Sequence, residues 1–223
     1  MAKAMEPEGF RKALQSLGVD VSRETMTALE TYAALLTKWQ KAINLVSNAT
    51  LPDLWQRHFL DSAQLLPLLP APAPDAAPGN PDGTLTDFGS GAGFPGMVLA
   101  IMSGRQTHLV ESDQRKAAFL LEVARATGCA ERVQVHAARI EAVKPWVSGT
   151  ITARALADLD SLLTLTAPFR GPGTVLLFPK GAKADDELTA AGLHWKMKIE
   201  RRQSVTDSAA VILRITEVER GQT

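Results

Sequence analysis

This 223-residue chain offers little for covalent cross-linking or metal capture. Its one cysteine, Cys129, allows no internal disulfide and no cysteine-based zinc site. The four histidines, His58, His108, His136 and His194, lie far apart in the sequence without metal-ligand spacing, and no metal is expected. Charge of one sign is also missing: 24 Lys and Arg residues balance 24 Asp and Glu residues. That excludes a strongly basic coat but not a local basic face, because binding follows local potential. No apolar run is long enough to cross a bilayer, and the opening MAKAMEPEGFRKAL has no apolar core of signal-peptide length. A cytoplasmic, reduced protein without membrane contact is therefore expected. No repeat of solenoid period is present. The length suits one sizeable domain, or one domain with a small extension.

Three regions differ in pattern. Residues 7 to about 66 read as helical, giving a helical N-terminal extension over 1–66. Ser22 is placed to cap a helix in which Met26, Leu29, Ala33, Leu36, Gln40 and Ile43 recur at steps of three and four, so one stripe faces a core. LPDLWQRHFLDSAQLL reads as a further helix with Pro52 in its first turn. The stretch 67–83 is rich in Pro, Ala and Gly without periodicity, and reads as a linker or long surface loop. From Thr84 onward strands are expected near 84–88, 107–111, 133–136, 149–153 and 173–178. Helices are expected between them near 95–103, 113–127, 139–144 and 158–168. Strand and helix alternating at these lengths predict a mostly parallel, Rossmann-like α/β sheet over 84–223. Two alternating segments meeting around Thr206–Ser208 predict an antiparallel hairpin at the sheet edge.

The chemistry is concentrated in TLTDFGSGAGFPGMVLAI, Thr84 to Ile101. In an open α/β sheet, ligands lie outside the carboxyl ends of the strands, at the switch point beside the first one. Glycines there let backbone approach a ligand that a Cβ would push away. Two registers compete. Gly91, Gly93 and Gly96 spell the dinucleotide G-x-G-x-x-G, but that register starts late, with Gly89 and Ser90 intervening after the strand and Gly96 inside the helix. Gly89, Gly91 and Gly93 spell G-x-G-x-G directly after acidic Asp87, a loop suited to adenosine and an amino-acid moiety. A Walker loop is excluded, because no Gly-Lys-Ser/Thr follows. The next strand ends in Glu111, placed for ribose hydroxyls in either kind of adenosine cofactor.

In order along the chain, DFGSGAGFPG, LVESDQRKAAFL, RIE, ARALADL and FPKG resemble the RsmG (GidB) family, as do KWQKAINL and RHFLDS upstream. The family comprises bacterial 16S ribosomal RNA guanine-N7 methyltransferases that use S-adenosyl-L-methionine, and the resemblance covers nearly the whole chain. It implies a class I methyltransferase fold. It also implies a cofactor site in which Gly89 and Phe94 touch S-adenosylmethionine, Glu111 holds the ribose, Ile140 and Glu141 lie beside the adenine, and Arg154 borders methyl transfer. Asn44, Arg57, His58 and Asp61 match family positions in the N-terminal part. On an α-helix the last three would share a face on the RNA side of the pocket. Glu111 stands where the family often has Asp, and the 67–83 loop is longer than expected for the family.

Missing devices narrow the chemistry further. C5 methylation of a pyrimidine needs a cysteine nucleophile, and Cys129 reads as a small apolar residue at a helix end. Amine methylases usually carry an Asn/Asp-Pro-Pro-aromatic tetrad after the fourth strand, where this chain reads TARAL. Guanine N7 needs neither, since its lone pair carries no proton; an in-line displacement driven by positioning is expected. The partner is expected to be 16S rRNA or a small-subunit precursor, and the protein a monomer. Candidate phosphate contacts are Lys38 with Lys41, Arg57, Arg115 with Lys116, Arg139, Lys180 with Lys183, and WKMKIERR. A methyltransferase of other substrates, an NAD(P) oxidoreductase and a non-enzymatic RNA-binding module remain open as alternatives.

Overall fold

The computed structural model describes residues 4–71 and 83–221. Most of the expected linker, residues 72–82, lies outside the described residues. Strands β1 (Leu85–Phe88), β2 (Thr107–Val110), β3 (Val133–His136), β4 (Thr150–Ala153) and β5 (Val175–Lys180) pair in parallel. β6 (Trp195–Gln203) and β7 (Val211–Arg220) form the expected hairpin, and β7 pairs antiparallel to β5. The sheet order is β3-β2-β1-β4-β5-β7-β6, which puts the switch point between β1 and β4. β1 and β4 are buried along their whole length, as central parallel strands covered on both faces require. The outer strand β6 is studded with Lys196, Lys198, Arg201 and Arg202, charges that discourage pairing with a further chain.

One face of the sheet packs on α4 (Gly96–Ser103) and α5 (Gln114–Ala126). The other packs on α6 (Leu159–Thr166) and α7 (Ala184–Gly192). Asp113 and Asp158 cap α5 and α6 with their carboxylates, Asp158 accepting from Ser161 N at 2.9 Å. Two expectations from the pattern differ from what forms. Over 139–144 there is only a short 3-10 turn, Ile140–Ala142, because Lys144 precedes Pro145 and is driven to extended backbone. The helix α7 forms where none is expected; three acidic residues in its first turn, Asp185, Asp186 and Glu187, favour its N-terminus.

The N-terminal part begins with α1 (Pro7–Ser16) and α2 (Arg23–Trp39), and Ser22 caps α2 through Thr25 N as expected. The apolar stripe holds from Leu29 to Leu36, but α2 stops at Trp39. The Gln40 side chain binds the backbone of Leu45 and Val46 and braces the non-helical stretch that follows. Ile43 is buried from that stretch rather than from the helix. Next come a 3-10 turn at Leu51–Asp53, a π-helical turn at Trp55–Leu60 and the short α3 (Asp61–Ala63). Phe10, Leu29, Tyr32 and Phe59 share one apolar cluster with Phe94, Met97 and Phe119 of the sheet half. The helices thus buttress the glycine loop directly. Tyr32 is fully buried, stacks on Phe94 at 5.4 Å, and donates its hydroxyl hydrogen bond to the Ala92 carbonyl. Burial raises its pKa well above the phenol range, so it remains a donor. Tyr32→Phe leaves the carbonyl without that donor and should cost about 1–3 kcal/mol in urea unfolding; an unchanged midpoint would show that the bond contributes nothing.

Candidate active site

The loop after β1 is held in left-handed backbone at Gly89 (φ 65°), Gly91 (φ 57°) and Gly93 (φ 95°). Each glycine meets different surroundings. A Cβ on Gly89 would come 2.7 Å from Leu156 Cδ1, whereas one on Gly91 would meet nothing nearer than the Gly89 carbonyl at 3.8 Å. Gly93 is turned to the core, where a Cβ would strike the Tyr32 hydroxyl at 2.5 Å. A Cβ on Gly96 would come 2.5 Å from Asp87 Cβ and 2.6 Å from Leu109 Cδ2, so this glycine serves helix-to-strand packing.

Glu111 follows β2 and ties the loop down. One carboxylate oxygen accepts from Gly91 N at 2.6 Å and the other from Asp113 N at 2.8 Å. Asp87 is fully buried beneath the loop and accepts from the Thr152 hydroxyl at 2.6 Å. Burial pushes its carboxyl up to about 6, against the pull of that bond and of its other hydrogen bonds. A carboxyl raised in this way stabilises the fold most below the unfolded value of 3.8, and loses that contribution as pH rises through about 6. Asp87→Asn removes the titration. The melting-temperature difference between variant and wild type should therefore shift in the variant's favour by roughly several degrees from pH 4.5 to pH 7. A difference independent of pH would overturn this account.

Two cavities lie on either side of the loop that follows β4. A small one, about 140 Å³, is lined by Gly89, Val110, Arg139, Ile140, Glu141 and Leu165, among others. A larger cleft of about 450 Å³ opens beyond the ends of β4 and β5, lined among others by His58, Asp61, Arg154, Lys180, Glu187 and Thr206. Ala155, with a left-handed φ of 53°, and Leu156 stand between the two. Holding alanine there costs about 1–2 kcal/mol, strain placed at the cleft rather than away from it.

Arg154 is the centre of the larger cleft. Its guanidinium pairs with Asp61 at 3.0 Å, reaches His58 Nδ1 at 3.1 Å and lies 5.4 Å from the Phe94 ring centroid. His58 Nε2 meets the Thr50 hydroxyl at 2.9 Å. Burial first, then Arg154, holds the imidazole down at about 4, with Asp61 pulling the other way. His58 is thus a neutral acceptor for Arg154.

A family model described as GidB, rRNA small subunit methyltransferase G, matches residues 25–215. The chain belongs to this family. It is 52% identical over 211 residues to the ribosomal RNA small subunit methyltransferase G of Rhodospirillum centenum, an alignment covering 94% of this chain and 92% of that one. Among solved structures, cofactor-bound Rv0187 from MTB aligns over 95% of this chain and 97% of its own with TM-score 0.57 at 13% identity. The ribosomal protein L11 methylase of Lactobacillus delbrueckii subsp. bulgaricus aligns over 70% and 77% with TM-score 0.51 at 14% identity. These last two are likenesses of fold, the class I methyltransferase sheet expected from the sequence.

The expected residues of a GidB-family site fall into distinct groups. Gly89, Ile140 and Glu141 meet around the small cavity, and Glu111 joins them through the loop. Phe94 is buried between Tyr32 and Arg154. Arg139, expected toward RNA, lines the small cavity instead, because it opens the 3-10 turn that follows β3. Arg57 does line the larger cleft, but the π-helical turn breaks the α-helical spacing; it pairs with Asp207 at 3.5 Å, leaving Asp61 to Arg154. Asn44 stands outside this cleft and accepts from Gln40 Nε2 at 3.2 Å. Lys180 is no solvated lysine: it is buried, pairs with Glu187 at 2.7 Å and donates to the Ala157 carbonyl at 2.9 Å. The hairpin cations are also engaged, with Arg201 on Asp185, Arg202 on Glu200 and Lys198 on Glu217.

Glu187, Thr206 and Asp207 were not among the expected site residues. They arrive from an unanticipated helix and from the hairpin turn, and no local pattern marks them. Two histidines far apart in sequence also meet: His108 Nδ1 and His136 Nε2 are 2.9 Å apart, with the Trp146 ring lying against both imidazoles. Among the described residues no group of three or more metal-ligating side chains converges, and none has a helix long and apolar enough to cross a membrane.

Proposed function

We propose that this chain transfers a methyl group from S-adenosyl-L-methionine to N7 of a guanine in 16S ribosomal RNA. The observation that carries the reading is the pair of cavities on either side of Ala155 and Leu156, a small one lined by Gly89, Ile140 and Glu141 and a larger one lined by His58, Asp61 and Arg154. The residues fit the cofactor. Gly89 lines the narrow cavity in left-handed backbone that other residues adopt only under strain, Ile140 and Leu165 offer apolar faces to an adenine, and Glu111 stands at the end of β2. S-adenosylmethionine, when bound, supplies a methyl group activated by a sulfonium.

The chain's own task is to hold the base, orient N7 and keep water out. No side chain has to remove a proton, because N7 carries none. His58 agrees with this: it is neutral, and both ring nitrogens are engaged by Arg154 and Thr50. Arg154 is the donor placed to fix the base. Residues 1–66 are assigned to the RNA side, since they supply Arg57, His58 and Asp61 to the cleft; the transfer itself belongs to 84–223.

The test uses ribosomal RNA from a strain lacking the gene. Borohydride and aniline treatment, which cleaves at N7-methylguanine, should show one 16S site lost and then restored by the wild-type gene. An unchanged cleavage pattern would overturn the substrate assignment. Titration calorimetry should detect S-adenosylmethionine and S-adenosylhomocysteine but not NAD; heat with NAD alone would overturn the cofactor.

A further inference from the structure

The larger cleft holds three cationic side chains, and each is matched by a carboxylate. Arg57 pairs with Asp207 at 3.5 Å, Arg154 with Asp61 at 3.0 Å and Lys180 with Glu187 at 2.7 Å. All six residues line the same cavity. A cleft built to seize phosphate keeps a surplus of positive charge. This one has none, and so suits a neutral polar ring better than an anion.

The reaction proposed above makes that balance matter. The N7 lone pair forms the new N–C bond, the electrons of the C–S bond remain on sulfur, and no proton moves. One positive charge is present throughout, and it passes onto the purine. A lone guanidinium beside the base would oppose its arrival, whereas a guanidinium closely paired with a carboxylate still offers N–H donors with little net field.

Resting on that reading, we propose that Asp61 is the charge-balancing and positioning residue for Arg154. Its placement is over-determined. One carboxylate oxygen takes Arg154 Nη1; the other accepts from the Thr206 hydroxyl at 2.6 Å and from Gln64 Nε2 at 3.0 Å. Gln64 in turn accepts from Val205 N at 2.9 Å, fastening the hairpin turn to the N-terminal helical segment. The Asp61 side chain is only 18% exposed, so water screens the pair weakly. Three parts of the chain thus converge on one carboxylate: the N-terminal helices, the loop after β4 and the β6–β7 turn.

The test separates charge from shape. Asp61→Asn keeps the size of the side chain and an oxygen for Thr206, but leaves Arg154 unbalanced. S-adenosylmethionine carries a sulfonium and S-adenosylhomocysteine a neutral thioether, so the ratio of their dissociation constants reports the local field without any turnover. In Asp61→Asn this ratio should rise about tenfold against S-adenosylmethionine, with S-adenosylhomocysteine binding kept within about threefold. Asp61→Glu should keep the wild-type ratio. Combining Asp61→Asn with Arg154→Gln should restore it, because the unbalanced cation is then gone. For Asp61→Asn alone, kcat should fall about 100-fold. A ratio unmoved in Asp61→Asn, or not restored in the double variant, would overturn the proposal. If wild type binds neither ligand, the failure lies in the cofactor reading instead.

Discussion

Gly89→Val is expected to weaken binding of both S-adenosylmethionine and S-adenosylhomocysteine by at least about 100-fold, some 3 kcal/mol, in titration calorimetry. Two costs combine at this position. The residue sits at φ 65°, a region a β-branched side chain adopts only under strain. Its new Cβ would also come 2.7 Å from Leu156 Cδ1, and the added methyls would project into the narrow cavity. Backbone strain alone destabilises without touching a ligand, so a control is needed. Gly128→Ala meets the same requirement, at φ 70° with nothing within 4 Å of the added Cβ. It should lose about 1–2 kcal/mol of stability yet bind both ligands as wild type does. Equal binding by Gly89→Val and wild type would remove the narrow cavity from the cofactor site.

Arg154→Ala should lower kcat by about 100- to 1,000-fold, the usual effect of losing one positioned donor, while S-adenosylhomocysteine binding stays within about threefold. The argument rests on what the guanidinium touches. It pairs with Asp61 and reaches His58 in the larger cleft, lies over the buried Phe94 ring, and is absent from the lining of the narrow cavity. Removing it also unties the loop after β4 from the N-terminal helices, so melting temperature should fall by roughly a few degrees. Wild-type turnover in Arg154→Ala would show that the base is held elsewhere. A loss confined to cofactor affinity would place Arg154 on the cofactor side.

Much of this is legible in the sequence. Three of the parallel strands, β1, β2 and β5, announce themselves by the Gly89, Glu111 and Gly181 that directly follow them, and that signal is local. The preference for Gly89 as the first loop glycine followed from its position directly after the strand. The packing of Gly96 on Asp87 agrees with leaving Gly96 out of the ligand set. The helix α7 was not legible, because ADDELTAAG has a weak apolar stripe and is held by the neighbours it meets. The pattern over 139–144 reads as a helix, yet only the turn Ile140–Ala142 forms, because Pro145 follows the expected end directly.

By itself, the sequence determined the sheet, the glycine loop at its switch point, the acidic residue at the end of β2 and, through family resemblance, the class of reaction. These rest on periodicities of two and 3.6 and on backbone positions only glycine tolerates. Only the tertiary structure decided which charges meet. Arg154 and Asp61 are 93 residues apart, and Asp61 and Thr206 are 145 apart. No spacing rule spans such distances. The π-helical turn rotated Arg57 away from Asp61, and an unanticipated helix delivered Glu187 to Lys180. The cleft is electrically balanced because folding brought three pairs together, and a count of charges along the chain contains no record of that pairing.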